Sequence, residues 1–220
     1  MEKEITALTA QKRNPNRINV YLDGEFAFGL ARIVAAWLRV GQKLSAAEVE
    51  RLKQQDTEEM AYQKMLRFLS YRPRSEAEVR RKLNEHGYLE PVIAATIQRL
   101  KENQLLSDAQ FAQTWVENRA TFRPRSKRVM AMELRQKGVE EDAIEQALAE
   151  TSDESSLAYQ AALRYARRLA GVDWETFRKR LGAHLMRRGF AYGTITPILR
   201  QVWDETRLAG SSNLTHDEDE

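Results

Sequence analysis

The sequence predicts a mainly α-helical protein with three tandem three-helix repeats in an elongated array, preceded by a small N-terminal β-hairpin-plus-helix module. The tetrapeptide Arg72-Pro73-Arg74-Ser75 recurs as Arg123-Pro124-Arg125-Ser126. The same spacing aligns three sets of apolar and glycine positions, which are Leu83, Leu134 and Leu185; Gly87, Gly138 and Gly189; and Ile93, Ile144 and Ile195. A fixed period of about 50 residues is typical of duplicated helical units that bury each other's apolar faces.

An N-terminal module is predicted for residues 1–56, which do not follow the repeat. Residues 5–10 and 18–22 are strand-like runs, and Asp23-Gly24 separates the second run from residues 25–29. An Asp-Gly pair between two such runs is a strong hairpin signal, because both residues tolerate the positive φ angles of a tight turn. This segment is therefore predicted to form a β-hairpin.

The rest of this module is predicted to be helical. The apolar stretch over residues 30–40 is helix-like and ends at Gly41. Ser45 and Glu48 match a capping box, in which each side chain accepts a hydrogen bond from the other residue's backbone amide. They predict a helix that begins after Ser45 and ends near Gln55.

Three repeats are predicted at residues 57–106, 107–153 and 154–209, each with three helices. In the first repeat, Pro73 ends the first helix, since the residue before a proline avoids the helical region. Ser75 then caps the second helix. A glycine closes that helix in every repeat, because glycine readily adopts the left-handed conformation beyond a helix end.

The third repeat differs from the first in one respect. Ala158-Tyr159-Gln160 echoes Ala61-Tyr62-Gln63, but at a spacing that does not match the later glycines. The connection between its first two helices is therefore predicted to be about five residues longer than in the first repeat. Asp173 is predicted to cap the second helix of this repeat.

The composition excludes several classes of functional site. The chain has no cysteine and three histidines, so neither a disulfide framework nor a zinc site is expected. It has no glycine-rich phosphate loop and no Gly-x-Ser-x-Gly nucleophile motif. No catalytic residue, metal or cofactor is predicted, and the protein is expected not to be an enzyme.

The first residues of the sequence indicate where the protein is located, and the last residues indicate a disordered segment. The first residues lack the basic and apolar regions of a signal peptide, and no apolar run approaches the ~20 residues needed to cross a bilayer. A cytoplasmic protein with no membrane partner is therefore expected. Four acidic residues close the chain, and residues 210–220 are predicted to form a disordered acidic tail.

Positive charge rises from repeat to repeat along the second helices. The net charge is zero over residues 75–87, +3 over residues 126–138 and +5 over residues 177–189, although the whole chain carries only +3. Arg-Pro-Arg turns precede the first two of these helices, and paired Arg side chains can bind a carboxylate or a phosphate as a fork. The gradient favours a surface that binds an anionic partner over a merely solvated face.

Helical geometry predicts that this charge lies apart from the core. At 100° per residue, Phe177 and Leu181 share one side of their helix, whereas Arg180, His184 and Arg187 lie about a quarter-turn away and can face solvent. If the equivalent helices stack in parallel, their basic flanks line one surface of the array.

A three-helix unit also resembles a helix-turn-helix DNA reader. The third helices, however, carry acidic residues such as Glu102, Glu141 and Glu145, and they show no base-reading pattern. The sequence is compatible with contacts to phosphates, whereas it does not support sequence-specific readout of bases.

Several short elements of this sequence recur in a known family. They are Arg-x-Arg-Ser, Glu-Val, Lys-Leu, Gly-Tyr, Leu-x-x-Asp and Phe-Ala, within LSYRPRSEAEVRRKLNEHGYLEPVIAATIQRLKENQLLSDAQFAQTWVENR, and they are followed by MELRQKGVEEDAIEQAL. Through them the chain resembles the RecX family of bacterial recombination regulators. The resemblance covers the three repeats and is strongest over residues 66–150. The N-terminal segment is similar to that of an extended form found in part of the family.

The resemblance implies a non-enzymatic modulator of RecA. Members of this family bind in the helical groove of the RecA–single-stranded-DNA filament and suppress its recombinase, ATPase and coprotease activities. We therefore expect a monomer that binds the RecA filament, and single-stranded DNA through its phosphates, by its basic surface. The residues expected to contact RecA or DNA are Arg72, Arg74, Arg81, Arg123, Arg125, Lys127, Arg128, Arg178, Lys179, Arg180, Arg187 and Arg188.

Two other functions fit the same basic residues. One is a helical-repeat protein that binds nucleic acid directly, without RecA as a target, and the other is a helical scaffold for an unrelated acidic protein. Binding driven by phosphates weakens steeply with salt. The salt dependence of the affinity for naked DNA therefore separates the first of these from a protein-directed regulator.

Overall fold

A computed structural model describes residues 2–212 of the 220-residue chain. The molecule is mostly helical, with three three-helix domains and a small N-terminal antiparallel sheet, which confirms the predicted fold class. The chain divides into two compact units, of which one ends at Leu106 and the other begins at Ser107. Within the described part of the chain, no helix is both long and apolar enough to cross a membrane.

The N-terminal sheet has four antiparallel strands in the order β3-β2-β1-β4. Asp23 and Gly24 join β2 to β3 with φ angles of 50° and 88°, so the predicted hairpin is confirmed. Its buried face packs into a core with Ile5, Val20 and Leu30. The strands are β1 (Lys3–Ala10), β2 (Arg17–Leu22), β3 (Glu25–Ala31) and β4 (Lys43–Leu44).

Residues 30–40 do not form the helix predicted for them. Leu30 pairs with Ile18 near the end of β3, and only the short α1 (Arg32–Ala35) is helical. Leu30 is also fully buried in the core beneath the sheet. Strand pairing and burial therefore override the helical pattern of this apolar stretch, because intrinsic propensity is a weak force beside tertiary contacts.

The helix that begins after Ser45 does not end near Gln55. It is α2 (Ala46–Leu69), a helix of 24 residues that starts with both hydrogen bonds of the predicted capping box. The predicted boundary between residues 56 and 57 therefore falls inside one continuous helix.

Asp56 anchors the middle of α2 to the sheet. Its carboxylate is buried and accepts hydrogen bonds from the Arg17 guanidinium, at 2.8 Å, and from the backbone amide of Ala31, at 2.5 Å. A buried carboxylate needs such partners, because an unpaired buried charge is costly. The sheet and the first repeat thus share a helix that is fixed at its midpoint.

The first repeat consists of the second half of α2 together with α3 (Glu76–Glu85) and α4 (Glu90–Glu102). Ser75 and Glu78 form the predicted capping box at the start of α3. Buried side chains from all three helices, including Met65, Leu83 and Leu100, form one core.

The second unit contains the second and third repeats, and both share a single core. Its buried side chains run from Phe111 to Val202 and include Leu134, Phe177 and Leu185. The helices are α5 (Asp108–Phe122), α6 (Lys127–Gln136), α7 (Glu141–Ala149), α8 (Glu154–Ala166), α9 (Trp174–Arg187) and α10 (Tyr192–Ser212).

The aligned positions of the three repeats have the same structural roles. Leu83, Leu134 and Leu185 are each completely buried. The glycine that follows each second helix has a positive φ, and the angles are 77°, 75° and 89° for Gly87, Gly138 and Gly189. These findings confirm the expected register of the second helices and their glycine ends.

The third repeat is not longer where the sequence predicted it to be. Residues 70–75 join α2 to α3 and residues 167–173 join α8 to α9, so the two connections are similar in length. The additional residues instead extend α9 at its beginning, where Asp173 accepts a hydrogen bond from the Thr176 amide as its predicted cap.

The predicted acidic tail is described only at its beginning. Because α10 reaches Ser212, residues 210–212 are helical. Residues 213–220, with the four terminal acids, lie outside the described residues.

Candidate functional site

The first Arg-Pro-Arg turn is held by contacts within its own unit. The two Nη atoms of Arg72 donate to the Glu78 carboxylate at 3.0 and 3.2 Å. Arg74 lies over the Phe68 ring, 4.0 Å from its centroid, and its pKa is lowered because burial and the neighbouring Arg72 disfavour the charge. Arg72 therefore stabilises the approach to α3 through its ion pair, whereas Arg74 is packed against the Phe68 ring at the same turn.

The second Arg-Pro-Arg turn is also anchored by an intramolecular carboxylate. Arg125 Nη1 lies 2.9 Å from Glu133 Oε1, while Glu133 Oε2 accepts hydrogen bonds from Arg119 Nε at 2.7 Å and Trp115 Nε1 at 2.9 Å. Arg123, at the other side of this turn, is exposed and has no ion pair within the described residues. Only one arginine of this turn is available to a ligand without breaking a contact.

Lys127 has a structural role, whereas Arg81 and Arg128 do not. The Lys127 ammonium group donates to the carbonyl oxygens of Leu148 and Thr151, at 2.9 and 3.4 Å, near the end of α7. A cation there satisfies carbonyls that have no partner within the helix. Arg81 and Arg128 are exposed on α3 and α6, and neither forms an ion pair in the part of the chain that is described.

Most of the basic residues predicted on α9 are exposed. They have no carboxylate within ion-pair distance among residues 2–212, whereas Phe177, Leu181 and Leu185 of the same helix are buried. The predicted separation of charge from core along this helix is confirmed. The exposed residues are Arg178, Lys179, Arg180 and Arg187.

Arg188 joins the third repeat to the second. Its Nη1 donates to the carbonyl oxygen of Pro124 at 2.8 Å, and its own carbonyl oxygen accepts from the Ser126 amide at 3.1 Å. The C-terminal end of α9 thus meets the beginning of α6. The parallel stacking considered for these two helices in the sequence analysis is therefore not found, since they do not lie side by side. Burial and the nearby charges of Arg125 and Arg164 lower the pKa of the Arg188 guanidinium.

A small basic cavity lies beside Arg188. It has a volume of about 110 Å³, and its charged lining residues are Arg164, Arg168 and Arg188. Tyr165 and His184 complete the wall with apolar atoms of Phe122, Pro124 and Ala161. No acidic side chain lines the cavity, so its positive charge is not compensated locally.

A second basic cavity shares Tyr165 with the first. It has a volume of about 430 Å³ and is lined by Lys179, Arg180 and Arg187 of α9, together with Tyr165, Thr176 and Ala183. It too has no acidic lining residue. Because Tyr165 lines both cavities, the two are neighbours, and we refer to them together as the Tyr165 pockets.

His184 packs against Tyr165, the residue that the two cavities share. Its ring stacks on that of Tyr165, with centroids 3.9 Å apart, and its Nε2 accepts a hydrogen bond from Arg188 Nε at 2.8 Å. Burial and the charges of Arg188 and Arg187 lower the pKa of His184 to about 4. The sequence analysis placed His184 with Arg180 and Arg187 on a side that can face solvent, whereas the imidazole is partly buried against Tyr165.

Comparisons with known proteins match nearly the whole chain to one family. Its first, second and third three-helix domains match residues 61–100, 107–148 and 152–199, and the N-terminal domain of regulatory protein RecX matches residues 3–45. A regulatory protein RecX from Levilactobacillus brevis is 33% identical over 98% of this chain and 79% of the relative. The chain belongs to the RecX family. The resemblance found in its sequence motifs is thereby confirmed.

Other RecX proteins give the same result. Regulatory protein RecX of Bacillus pumilus is 30% identical over 91% of this chain and 78% of its own length. A crystal structure of regulatory protein RecX superimposes with a TM-score of 0.72 and 28% identity, covering 89% of this chain and 98% of that one. RecX from Lactobacillus salivarius, with 24% identity and a TM-score of 0.58 over 67% of this chain and 97% of its own, shares the fold.

Sequence reasoning missed part of the basic site of this RecX chain. Arg164 and Arg168 belong to α8 and the 3₁₀ turn after it, whereas the predicted set was drawn only from the second helices and the turns before them. The available signal was local composition, since residues 164–188 contain eight Lys or Arg and only two Asp or Glu. Tyr165 and His184 gave no such signal.

The described residues of the RecX chain hold no group of His, Cys, Asp or Glu side chains arranged to bind a metal ion. What the Tyr165 pockets offer is fixed positive charge and aromatic surface. Guanidinium groups bind the oxygens of phosphates and carboxylates through paired hydrogen bonds. The site is therefore suited to binding an anion.

Proposed function

We propose that the protein is a non-enzymatic regulator of recombination and DNA repair that binds the RecA–single-stranded-DNA filament and inhibits RecA. The observation that carries this proposal is membership of the RecX family, whose curated relatives are named regulatory proteins. The uncompensated basic surface of the second unit supports it, because the filament carries the phosphates of its DNA. The proposal includes a cytoplasmic location and action as a monomer without a cofactor.

Contacts within the chain favour some of the predicted basic residues over others for this proposed function. Arg72, Arg125 and Lys127 already bind groups of their own chain, so they contribute to folding first. Arg180 and Arg187 are exposed, unpaired among the described residues and located beside Tyr165. We therefore assign the contacts with the filament chiefly to α9.

The decisive experiment is a titration of RecA's DNA-dependent ATPase with the protein. The wild-type chain is expected to inhibit, and the double charge reversal Arg180→Glu/Arg187→Glu is expected to raise the inhibitory concentration roughly tenfold or more, because attraction becomes repulsion. Arg13→Glu/Arg167→Glu is the matched control, since both residues are exposed and lie outside the two cavities.

Circular dichroism should show equal helical content in both variants. Unchanged inhibition by the α9 variant at equal protein concentration would remove these two residues from the proposal. Absence of inhibition by the wild-type protein would reject the RecA-directed function itself.

A second candidate function is direct binding of nucleic acid without RecA as a target. The observation that favours it is the pair of basic cavities in the second unit, which need no protein partner to bind phosphates. Under this alternative, affinity for naked DNA accounts for the whole effect on RecA. ATPase inhibition would then disappear when DNA is present in large excess over the protein.

A further inference from the structure

The Tyr165 pockets concentrate positive charge that the protein does not neutralise. Arg168 and Arg187 are exposed and have no ion pair within residues 2–212, and each lines a different cavity. Arg188 is partly buried and lies close to Arg123, Arg125 and Arg164. Burial and the charges of these three residues disfavour its charged form and lower its pKa. Like charges held together in this way are stabilised by a bound anion, which offsets their repulsion.

The form of the cavities favours phosphate groups that are linked in series. The smaller cavity, of about 110 Å³, has three arginines around a space suited to a single tetrahedral anion. The larger cavity, which shares Tyr165 with the smaller one, is lined by three further cations. Two neighbouring sites for negative charge therefore share one aromatic side chain, an arrangement that suits phosphates linked in a chain.

Aromatic side chains at the same place favour unpaired bases. Phe122, on the rim of the smaller cavity, is 69% exposed, although it is a large apolar side chain. Tyr165 is held in place by its stack on His184. In proteins that bind single strands, bases stack on such rings while the backbone follows a basic groove. Paired bases inside a duplex cannot stack in this way.

We propose that the Tyr165 pockets bind the phosphodiester backbone of single-stranded nucleic acid, with one phosphate in each cavity and a base against Phe122. This inference deepens the proposed function, on which it rests for its biological setting, and it identifies the part of the protein that contacts DNA. Arg164 and Arg168 join Arg187 as phosphate ligands, and Arg188, whose Nε and Nη1 donate to His184 and to the Pro124 carbonyl, adds positive charge beside them. Arg72 and Arg125 of the Arg-Pro-Arg turns serve instead to support the fold, through their ion pairs with Glu78 and Glu133.

The test uses the full-length protein and a fluorescently labelled 20-nucleotide oligothymidylate, with binding measured by anisotropy in the absence of RecA. Arg168→Gln/Arg187→Gln removes one charge from each cavity, and neither side chain has an intramolecular ion pair to lose. Affinity is expected to fall roughly tenfold or more. The slope of log affinity against log salt should decrease by about 1.4, since each phosphate contact contributes about 0.7.

The matched control is Arg167→Gln/Arg13→Gln, which removes the same charge from exposed positions outside the cavities. Its affinity is expected to change less than about twofold, because diffuse surface charge is largely screened at physiological salt. If control and pocket variants lose affinity equally, binding is a property of overall charge and the proposal is overturned. No loss in the pocket variant overturns it as well.

A third variant, Phe122→Ala, tests the strand preference. It should weaken binding of the oligothymidylate but leave a duplex of the same length unaffected, because only unpaired bases can stack on the ring. Equal affinity of the wild-type protein for duplex and single strand would contradict the inference. Inorganic phosphate can also be used to compete with the labelled oligonucleotide. If it competes as well as unlabelled oligonucleotide does at the same phosphate concentration, the pockets bind isolated anions and not a linked backbone. That result would also overturn the inference.

These readouts remain separate from the regulatory function. Loss of oligonucleotide binding in Arg168→Gln/Arg187→Gln establishes the pockets whether or not the wild-type protein inhibits RecA. Conversely, the wild-type protein could inhibit RecA without binding the oligonucleotide. That result would reject the pockets as a nucleic-acid site and leave the proposed function intact.

Discussion

Gly189 occupies the tightest junction of the second unit. It follows α9 with a φ of +89°, and a Cβ atom added there would lie 2.2 Å from Val129 Cγ2 and 2.5 Å from Ser126 Oγ. These two residues belong to the beginning of α6. Glycine is thus required here for two reasons, the left-handed backbone and the close approach of another helix.

Gly189→Ala is expected to destabilise the second unit by about 2–5 kcal/mol. Roughly 1–2 kcal/mol arises from the left-handed conformation, and about 1–3 kcal/mol arises from overpacking against Val129 and Ser126. Urea denaturation monitored by circular dichroism measures the change. Gly171→Ala is the control, since Gly171 has a φ of +78° in the same unit but no atom within 4 Å of the added Cβ. Equal losses in the two variants would contradict the packing argument.

His184 is expected to make stability depend on pH below neutrality. Its pKa is about 4 in the folded protein and about 6.5 in an unfolded chain. Because the unfolded state binds the proton at higher pH, the stabilising contribution is complete above about pH 6.5 and is lost as pH falls towards 4. The urea midpoint of the second unit, measured at several pH values, should decline over this window.

The matching variant is His184→Gln, which retains a hydrogen-bond acceptor for Arg188 but cannot titrate. Its urea midpoint should depend less on pH between 6.5 and 4 than that of the wild-type protein. His86→Gln, at an exposed position in the first unit, should leave the pH dependence of the second unit unchanged. An identical pH dependence in the wild-type protein and His184→Gln would assign the effect to carboxylates.

At the scale of single residues, the sequence predicted those positions whose role is set by neighbours along the chain. Leu83 and Leu185 were predicted to be buried, and Gly189 was predicted to end a helix, because helical periodicity and the left-handed stop are local properties. The orientation of His184 could not be predicted in this way. Its environment is formed by Tyr165 of another helix, and only tertiary packing brings the two rings together.

Among the elements, the turn before α3 shows how a basic motif can be structural. The Glu78 side chain is only 6% exposed and is held by Arg72, whose side chain is 43% exposed. Removing the guanidinium leaves a largely buried carboxylate with a weaker set of partners. The charge of the Arg-Pro-Arg pattern indicates a ligand site. The Arg72–Glu78 contact shows that the same pattern also stabilises the start of a helix.

Arg72→Ala is expected to lower the free energy of unfolding of the first unit by about 1–2 kcal/mol, a value reduced by the partial exposure of Arg72. Arg81→Ala should change it by less than about 0.5 kcal/mol, since Arg81 is exposed without an ion pair in the described chain. Chemical denaturation of both variants makes the comparison. A stable Arg72→Ala variant would show that this arginine is not needed for the fold.

The elements that the sequence predicted wrongly are those decided by partners distant in the chain. Residues 30–40 have a helical pattern, yet Leu30 lies in β3, where it pairs with Ile18 of β2. The helix that begins after Ser45 was predicted to end near Gln55, yet it continues through Asp56, whose carboxylate binds the sheet. Capping residues such as Ser75 and Asp173 were predicted well, since their partners lie three residues away.

For the whole molecule, the repeats of the sequence are not equivalent to the cores of the structure. The second and third repeats contribute to one continuous core, whereas the first repeat has a core of its own. Leu134 and Leu185 are both completely buried in the shared core, and Leu83 is completely buried in the other. The number of cooperative units is therefore expected to follow the cores and not the repeats.

Leu134→Ala and Leu185→Ala are each expected to lower the free energy of unfolding by about 2–5 kcal/mol and to raise hydrogen exchange throughout α5–α10. Leu83→Ala should have a similar cost but raise exchange in α3, α4 and the second half of α2. Hydrogen exchange followed by peptide mass spectrometry distinguishes these regions. An effect of Leu185→Ala confined to α8–α10 would show that the third repeat unfolds independently.

The candidate site is the part of the molecule that was least accessible from the sequence. Lys179, Arg180 and Arg187 were predicted from the charge of one helix, and the structure places all three around one cavity. Arg164 and Arg168 reach the neighbouring cavity from a different helix and turn. Charge counting identified the helix, but the association of separate segments into one site depends on how α8 packs on α9.

The continuity of α2 determines how the protein can be shortened. A fragment starting at residue 57 would begin in mid-helix, with no Ser45 cap, with unsatisfied amides in its first turn and without the Asp56 carboxylate. At 1.5 Å per residue, α2 is a rod about 36 Å long. A fragment of the first repeat that is intended to keep native order should therefore retain this rod from its natural beginning.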